Sequence, residues 1–218
     1  MNTLKALFFP QAWKSQQRSH TLYLLGLMLC IASLPLSRAG LSIGTGILLL
    51  NGVLYDDFRE RGNRLKQFPW ALAAMFFVIW HIFATTYSLN PAGIQNELLT
   101  KVPFFIFVGI IASSKPLSLQ ELRLLVWIFV ISCVMAIFIF YGNAFLKTYQ
   151  GGFSAHNFTH HAFTRILDMH AIYFAMFLNF SAFGLVWLWY TRDKEHSQAQ
   201  FWQYLVLGIF LISVMATL

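Results

Sequence analysis

Residues Gly142–Tyr190 read GNAFLKTYQGGFSAHNFTHHAFTRILDMHAIYFAMFLNFSAFGLVWLWY, and this stretch bears on both the fold and the chemistry of the chain. Its second half, from His170 to Tyr190, is almost wholly apolar. As a helix rising about 1.5 Å per residue it covers roughly the 30 Å of a bilayer's hydrocarbon. Its first half is the longest polar segment of the chain. After the hinge Gly151-Gly152 it gathers His156, His160, His161, Arg165, Asp168 and His170 within fifteen positions. Nearly every other candidate for chemistry in the chain is isolated.

Composition extends the reading to the whole molecule. Of 218 residues 58% are hydrophobic and 11% charged, with a mean hydropathy of +0.61, against about 25% charged in an ordinary soluble domain. The chain therefore reads as an all-α, polytopic transmembrane helical bundle forming a single transmembrane domain over residues 1–218. The net charge of +7 is scattered between apolar runs, with no continuous basic stripe, which points to membrane topology and excludes nucleic acid as the partner. Cys30 and Cys133 lie inside apolar runs and form no disulfide framework or metal motif. The first twenty residues are mixed and amphipathic, without a signal-peptide cleavage site.

About seven spans are predicted, near 21–34, 36–54, 70–87, 98–112, 122–141, 170–190 and 201–218. They are separated by breakers: Pro35, the run Asn90-Pro91-Ala92-Gly93, Ser113-Ser114-Lys115-Pro116, and Gly151-Gly152. Pro103 sits near the start of the fourth, where it would kink a helix. Counting cations on alternate sides orients the bundle. Lys5, Lys14, Arg18, Arg59, Arg61, Arg64, Lys66, Lys115, Arg123, Arg192 and Lys194 fall on one side, the four basic residues at 59–66 in a loop from Tyr55 to Pro69. Only Arg38, Lys101, Lys147 and Arg165 fall on the other. The asymmetry predicts a cytoplasmic N-terminus and an outward C-terminus. The loop carrying the histidines and Arg165 then faces outward.

Arg165 is the sharpest functional candidate, a cation on the side where cations are sparse. Its guanidinium forms a fork of donors matched to phosphate oxygens, such as those of an anionic lipid-linked substrate. The plainer reading is a snorkelling arginine paired with Asp168 at helical i, i+3 spacing. His170 opens the span 170–190, either as a phosphate donor or as a helix-start histidine. Arg38, in the turn PLSRAG, is also outward, as a simple turn residue or as a second cation on the same external cavity. His156, His160 and His161 invite a metal, but their spacing lacks a zinc pattern and solvated loop histidines fit better. Neither a metal nor a cofactor is expected. His81 reads as a packed histidine. Ser42, Gly44 and Gly46 suit close helix contact.

Two stretches, LPLSRAGLSIGTGILLLN at 34–51 and RILDMHAIYFAMFLNF at 165–180, together resemble the O-antigen ligase and O-antigen polymerase family of bacterial membrane glycosyltransferases. The resemblance implies a multi-pass protein of the inner (plasma) membrane with a periplasmic C-terminus here. Its activity would be metal-independent transfer of a glycan from an undecaprenyl diphosphate carrier to a lipid A core, a glycan or a protein hydroxyl. It also implies that Arg165 engages the carrier's pyrophosphate. Family members continue into further helices, a second external arginine and a large loop with a histidine. On that basis the chain is expected to be the N-terminal part of a longer protein. The competing class is a non-catalytic polytopic membrane protein or a transporter. Coupled transport is disfavoured because the acidic residues all fall at span ends or in loops.

Overall fold

The structure, a computed structural model, describes residues 15–54, 58–84, 105–152, 154, 158, 160–191, 204–205 and 207–212. Among them there is no strand, so the all-helical expectation holds. Helix α1 (Ser15–Ser33) and helix α2 (Arg38–Leu54) occupy the first two predicted spans. The break between them follows from Pro35 and from Ser37, whose hydroxyl accepts the Gly40 N–H at 3.2 Å, as an N-cap side chain does for the third residue of a helix. A side chain at Gly40 would collide with the Ser33 hydroxyl. It is Gly40, not Gly46, that permits a close approach here, since nothing lies near Gly46.

The segment 55–69, expected as a loop, is helical over α3 (Phe58–Lys66) and bends by 103° into α4 (Pro69–Ala84). Proline at the first position of α4 needs no N–H partner and presets the helical φ, so it starts a helix rather than interrupting one. Charge counting, which treats such a segment only as a topology signal, is blind to its helicity. Residues 105–113 form α5. The preceding part of the predicted 98–112 span, residues 98–104, lies outside the described residues, as do most of 201–218 apart from helical residues 204–205 and 207–212.

Helix α6 (Leu119–Gly151) is longer than the predicted span 122–141 at both ends. At its start, Ser118 and Glu121 form a reciprocal capping box, the Ser118 N–H donating to the Glu121 carboxylate at 2.8 Å and the Glu121 N–H to the Ser118 hydroxyl at 3.3 Å. At its end no residue after Tyr141 breaks the helix until Gly152, which takes φ 84°, a conformation that suits glycine. At 33 residues it extends about 50 Å, well beyond a hydrocarbon core. A short helix α7 (His160–Thr164), a 3-10 turn (Arg165–Leu167) and helix α8 (Ala171–Tyr190) follow in order.

Helices α6 and α8 run antiparallel. Phe140 meets Phe174 edge to face at 4.8 Å, Ser181 donates to the Cys133 sulfur at 3.2 Å, and Gly184 lets Val126 approach where a Cβ would stand 2.9 Å away. The first two contacts step by seven residues, two helical turns, in opposite directions along the pair. The outer faces carry Phe138, Phe180 and Phe183 exposed, as lipid-facing surfaces do. Helices α6 and α8 are each long and apolar enough to cross a membrane, and the bent α3–α4 pair makes a third if it counts as one span.

By contacts the chain divides into two compact units, residues 1–26 with 44–116 and residues 27–43 with 117–218. The second unit holds a core of Phe140, Phe163, Phe174, Leu178 and Leu185, against which Leu36, Leu167 and Met169 pack.

Candidate functional site

Within the second unit, that core sets up the site. Phe163 of α7 is fully buried against Phe140 and Tyr141, at ring distances of 5.4 and 4.9 Å. Phe174 of α8 packs on the same Phe140 ring. The segment between them is thus anchored at both ends, and Leu167 and Met169 are set into the core along it. Inside it the Thr164 hydroxyl, itself fully buried, donates to the Met169 carbonyl at 2.7 Å. The Asp168 N–H returns to the Arg165 carbonyl at 3.0 Å. Asp168 closes the turn in the left-handed region, at φ 50° and ψ 39°, which aspartate tolerates better than most residues.

That geometry changes the expected pairing. In a continuous helix Arg165 and Asp168 would share a face, but the 3-10 turn and the left-handed residue turn Asp168 to another partner, 130 positions away. Arg38 donates through Nη1 to the Asp168 carboxylate at 3.1 Å and through Nη2 to its main-chain carbonyl at 2.8 Å. Leu36, two residues earlier, is seated in the same core and brings the start of α2 to this place. Both side chains of the pair are more than four-fifths exposed, and such a pair contributes only about 0–1 kcal/mol. The Arg165 guanidinium, also exposed, has no hydrogen-bond or ion-pair partner among the described residues.

An open cleft of about 520 Å³ is lined by Arg38, Arg165, Asp168, His170 and Ser37, with Leu34, Leu41, Leu167, Met169, Tyr173 and Phe177 as apolar walls. The three residues singled out in the sequence, Arg165, His170 and Arg38, therefore share one cleft. His170 is the N-cap of α8: its Nδ1 accepts the Ile172 N–H at a long 3.4 Å and its ring stands edge-on to Tyr173. The helix-start reading of this histidine is the one the geometry matches. Arg38 is the first residue of α2, where the helix dipole favours an anion. Two guanidinium groups, a helix N-terminus and apolar walls can together receive the anionic head of an amphiphile.

The first unit holds a second arginine cluster with a different character. Arg61 donates to the Ser113 hydroxyl at 3.0 Å, and Arg64 to the Ser113 carbonyl at 2.6 Å and to Glu60 at 3.3 Å. These cations cap the last turn of α5, where carbonyls lack helical partners. Arg61 also lies against Gly52 so closely that a Cβ there would clash with its guanidinium. Sequence reasoning took both arginines for topology signals and missed this role. The signal was present in the i, i+3 spacing of Arg61 and Arg64 on a helix-compatible segment.

His81 is half-buried on α4, its Nδ1 2.9 Å from the Phe77 carbonyl one turn earlier and its ring 4.3 Å from that of Phe77. His156 lies outside the described residues, and the side chains of His160 and His161 are likewise outside them. Among the described residues no three His, Cys, Asp or Glu side chains converge as a metal site. No family model, no curated protein and no solved structure matches this chain.

Proposed function

We propose that the chain is a polytopic inner-membrane protein of about seven spans, with its N-terminus in the cytoplasm, acting as a glycosyltransferase of the O-antigen ligase or polymerase type. In this reading the cleft faces the periplasm and binds the diphosphate of an undecaprenyl diphosphate-linked oligosaccharide. The glycan passes to a hydroxyl of a lipid A core, a glycan or a protein. The observation that carries the reading is the meeting of Arg38 and Arg165 in a cleft with apolar walls. Cations at the rim suit phosphates, and leucine, methionine and aromatic walls suit the first isoprene units of the carrier.

The chemistry is displacement at the anomeric carbon. The acceptor oxygen forms its bond to that carbon as the carbon–oxygen bond to the diphosphate breaks, and the diphosphate leaves with the electron pair. Fixed guanidinium groups stabilise the charge that develops on the leaving oxygen, and arginine does so at any physiological pH. A base must take the acceptor's proton, and none of the described residues is assigned that role.

The test is transfer by the full-length protein in proteoliposomes given a lipid-linked oligosaccharide and an acceptor. Consumption of the donor that falls at least tenfold in Arg165→Ala, with Arg165→Lys folding normally, is the expected result. Electrogenic solute uptake without donor consumption would replace the reading with a transporter. Labelling of a cysteine placed at position 165 from the cytoplasmic side would overturn the orientation.

A further inference from the structure

Arg38 makes two contacts to Asp168, and the two differ in kind. The main-chain carbonyl at 2.8 Å belongs to the fixed turn, held by Thr164 and by the core on either side. The carboxylate at 3.1 Å belongs to an 87% exposed side chain. The carbonyl contact would by itself hold the guanidinium at the cleft if the carboxylate were displaced. The carboxylate, for its part, occupies donors of Arg38 that an incoming phosphate oxygen would use, and it places a negative charge on the cleft wall beside the N-terminus of α2.

From these contacts we infer that Asp168 is an internal competitor for the anion site: its carboxylate stands in for a ligand phosphate on Arg38 and is displaced when an anion bridges Arg38 and Arg165. It acts through Arg38 rather than by touching the reacting atoms. The consequence suits a cleft open to a membrane full of phosphodiester headgroups. In the resting state one of the two arginines is already satisfied. A lone headgroup therefore meets Arg165 only, whereas a diphosphate has a second phosphate with which to take Arg38. This inference rests on the cleft being an anion site, as proposed above.

The experiment uses the full chain in neutral detergent and P1,P2-dibutyl diphosphate as the probe, with affinity read by calorimetry in the wild type, Arg165→Ala, Asp168→Asn, Arg38→Gln and the Asp168→Asn/Arg38→Gln double variant. Asparagine suits a left-handed residue and retains the main-chain contact, so the turn is preserved. Asp168→Gly, equally at ease at positive φ, serves as a second variant should the first fold poorly. Asp168→Asn should bind the probe about fivefold more tightly, the scale of one exposed ion pair. That gain should vanish in the Arg38→Gln background. Unchanged or weaker binding by Asp168→Asn overturns the inference, since weaker binding would make the carboxylate a support for Arg38. A gain that persists without Arg38 overturns it as well, by showing a general field effect. Absence of any Arg165-dependent binding in the wild type instead removes the anion site itself, and with it both this inference and the reading it rests on.

Discussion

The two arginine clusters differ in what their guanidinium groups have already been given. In the first unit Arg61 and Arg64 are bonded to the end of a helix through Ser113, with the Arg64 side chain largely buried. In the second, Arg38 holds an exposed aspartate, and Arg165 has no partner among the described residues. A satisfied, buried arginine belongs to the fold, because removing it strands the acceptors it served. An exposed and unsatisfied one is kept in place by its backbone and remains open to a ligand. Equal formal charge thus conceals opposite roles, and substitutions that separate stability from binding will tell them apart.

The largest effect is expected beneath the second cluster. Phe140 carries both Phe163 and Phe174, so Phe140→Ala should cost about 3–5 kcal/mol in unfolding monitored in detergent. A loss below about 1 kcal/mol would show that this ring does not fix the turn bearing Arg165. Next comes Arg64→Ala, which strands the Ser113 carbonyl and should cost about 1.5–3 kcal/mol with little change in anion binding. Thr164→Val removes the hydroxyl that ties off the turn at Met169. It should cost about 1–2 kcal/mol and weaken anion binding by loosening the position of Arg165. The smallest effects on stability are expected for Arg38→Ala, about 1 kcal/mol or less, and Arg165→Ala, within about 0.5 kcal/mol. If either proved as destabilising as Arg64→Ala, the division between the clusters would be lost.

Much of this was legible in the chain itself, and the failures have physical causes. The run 170–190 became a helix over Ala171–Tyr190 with His170 as its cap, because twenty apolar residues without a breaker have one outcome. The run 122–141 was cut short, because hydropathy marks where a helix is apolar and says nothing of where it stops. Ser118 with Glu121, and Gly152, were the true punctuation. Arg165, His170 and Arg38, singled out in the sequence, the arginines because charge counting sets them on the side with fewer cations, line one cleft. The contact between Arg38 and Asp168 was not legible. Spacing favoured a local pair with Arg165, and only a left-handed residue at 168 and a seat for Leu36 in a distant core redirect it. The α3 helix was missed for a related reason, since its charges were weighed for their side of the membrane and not for the carbonyls they reach.

The most direct test of the receptive cleft is retention of a radiolabelled undecaprenyl diphosphate-linked oligosaccharide by the chain in nanodiscs, compared between wild type, Arg165→Ala and Arg64→Ala at matched folded protein. Loss of one charged hydrogen-bonding partner is expected to weaken retention by roughly ten- to 150-fold in Arg165→Ala, the equivalent of about 1.5–3 kcal/mol, while folded Arg64→Ala retains the ligand as the wild type does. Equal retention by wild type and Arg165→Ala would contradict the assignment of the cleft.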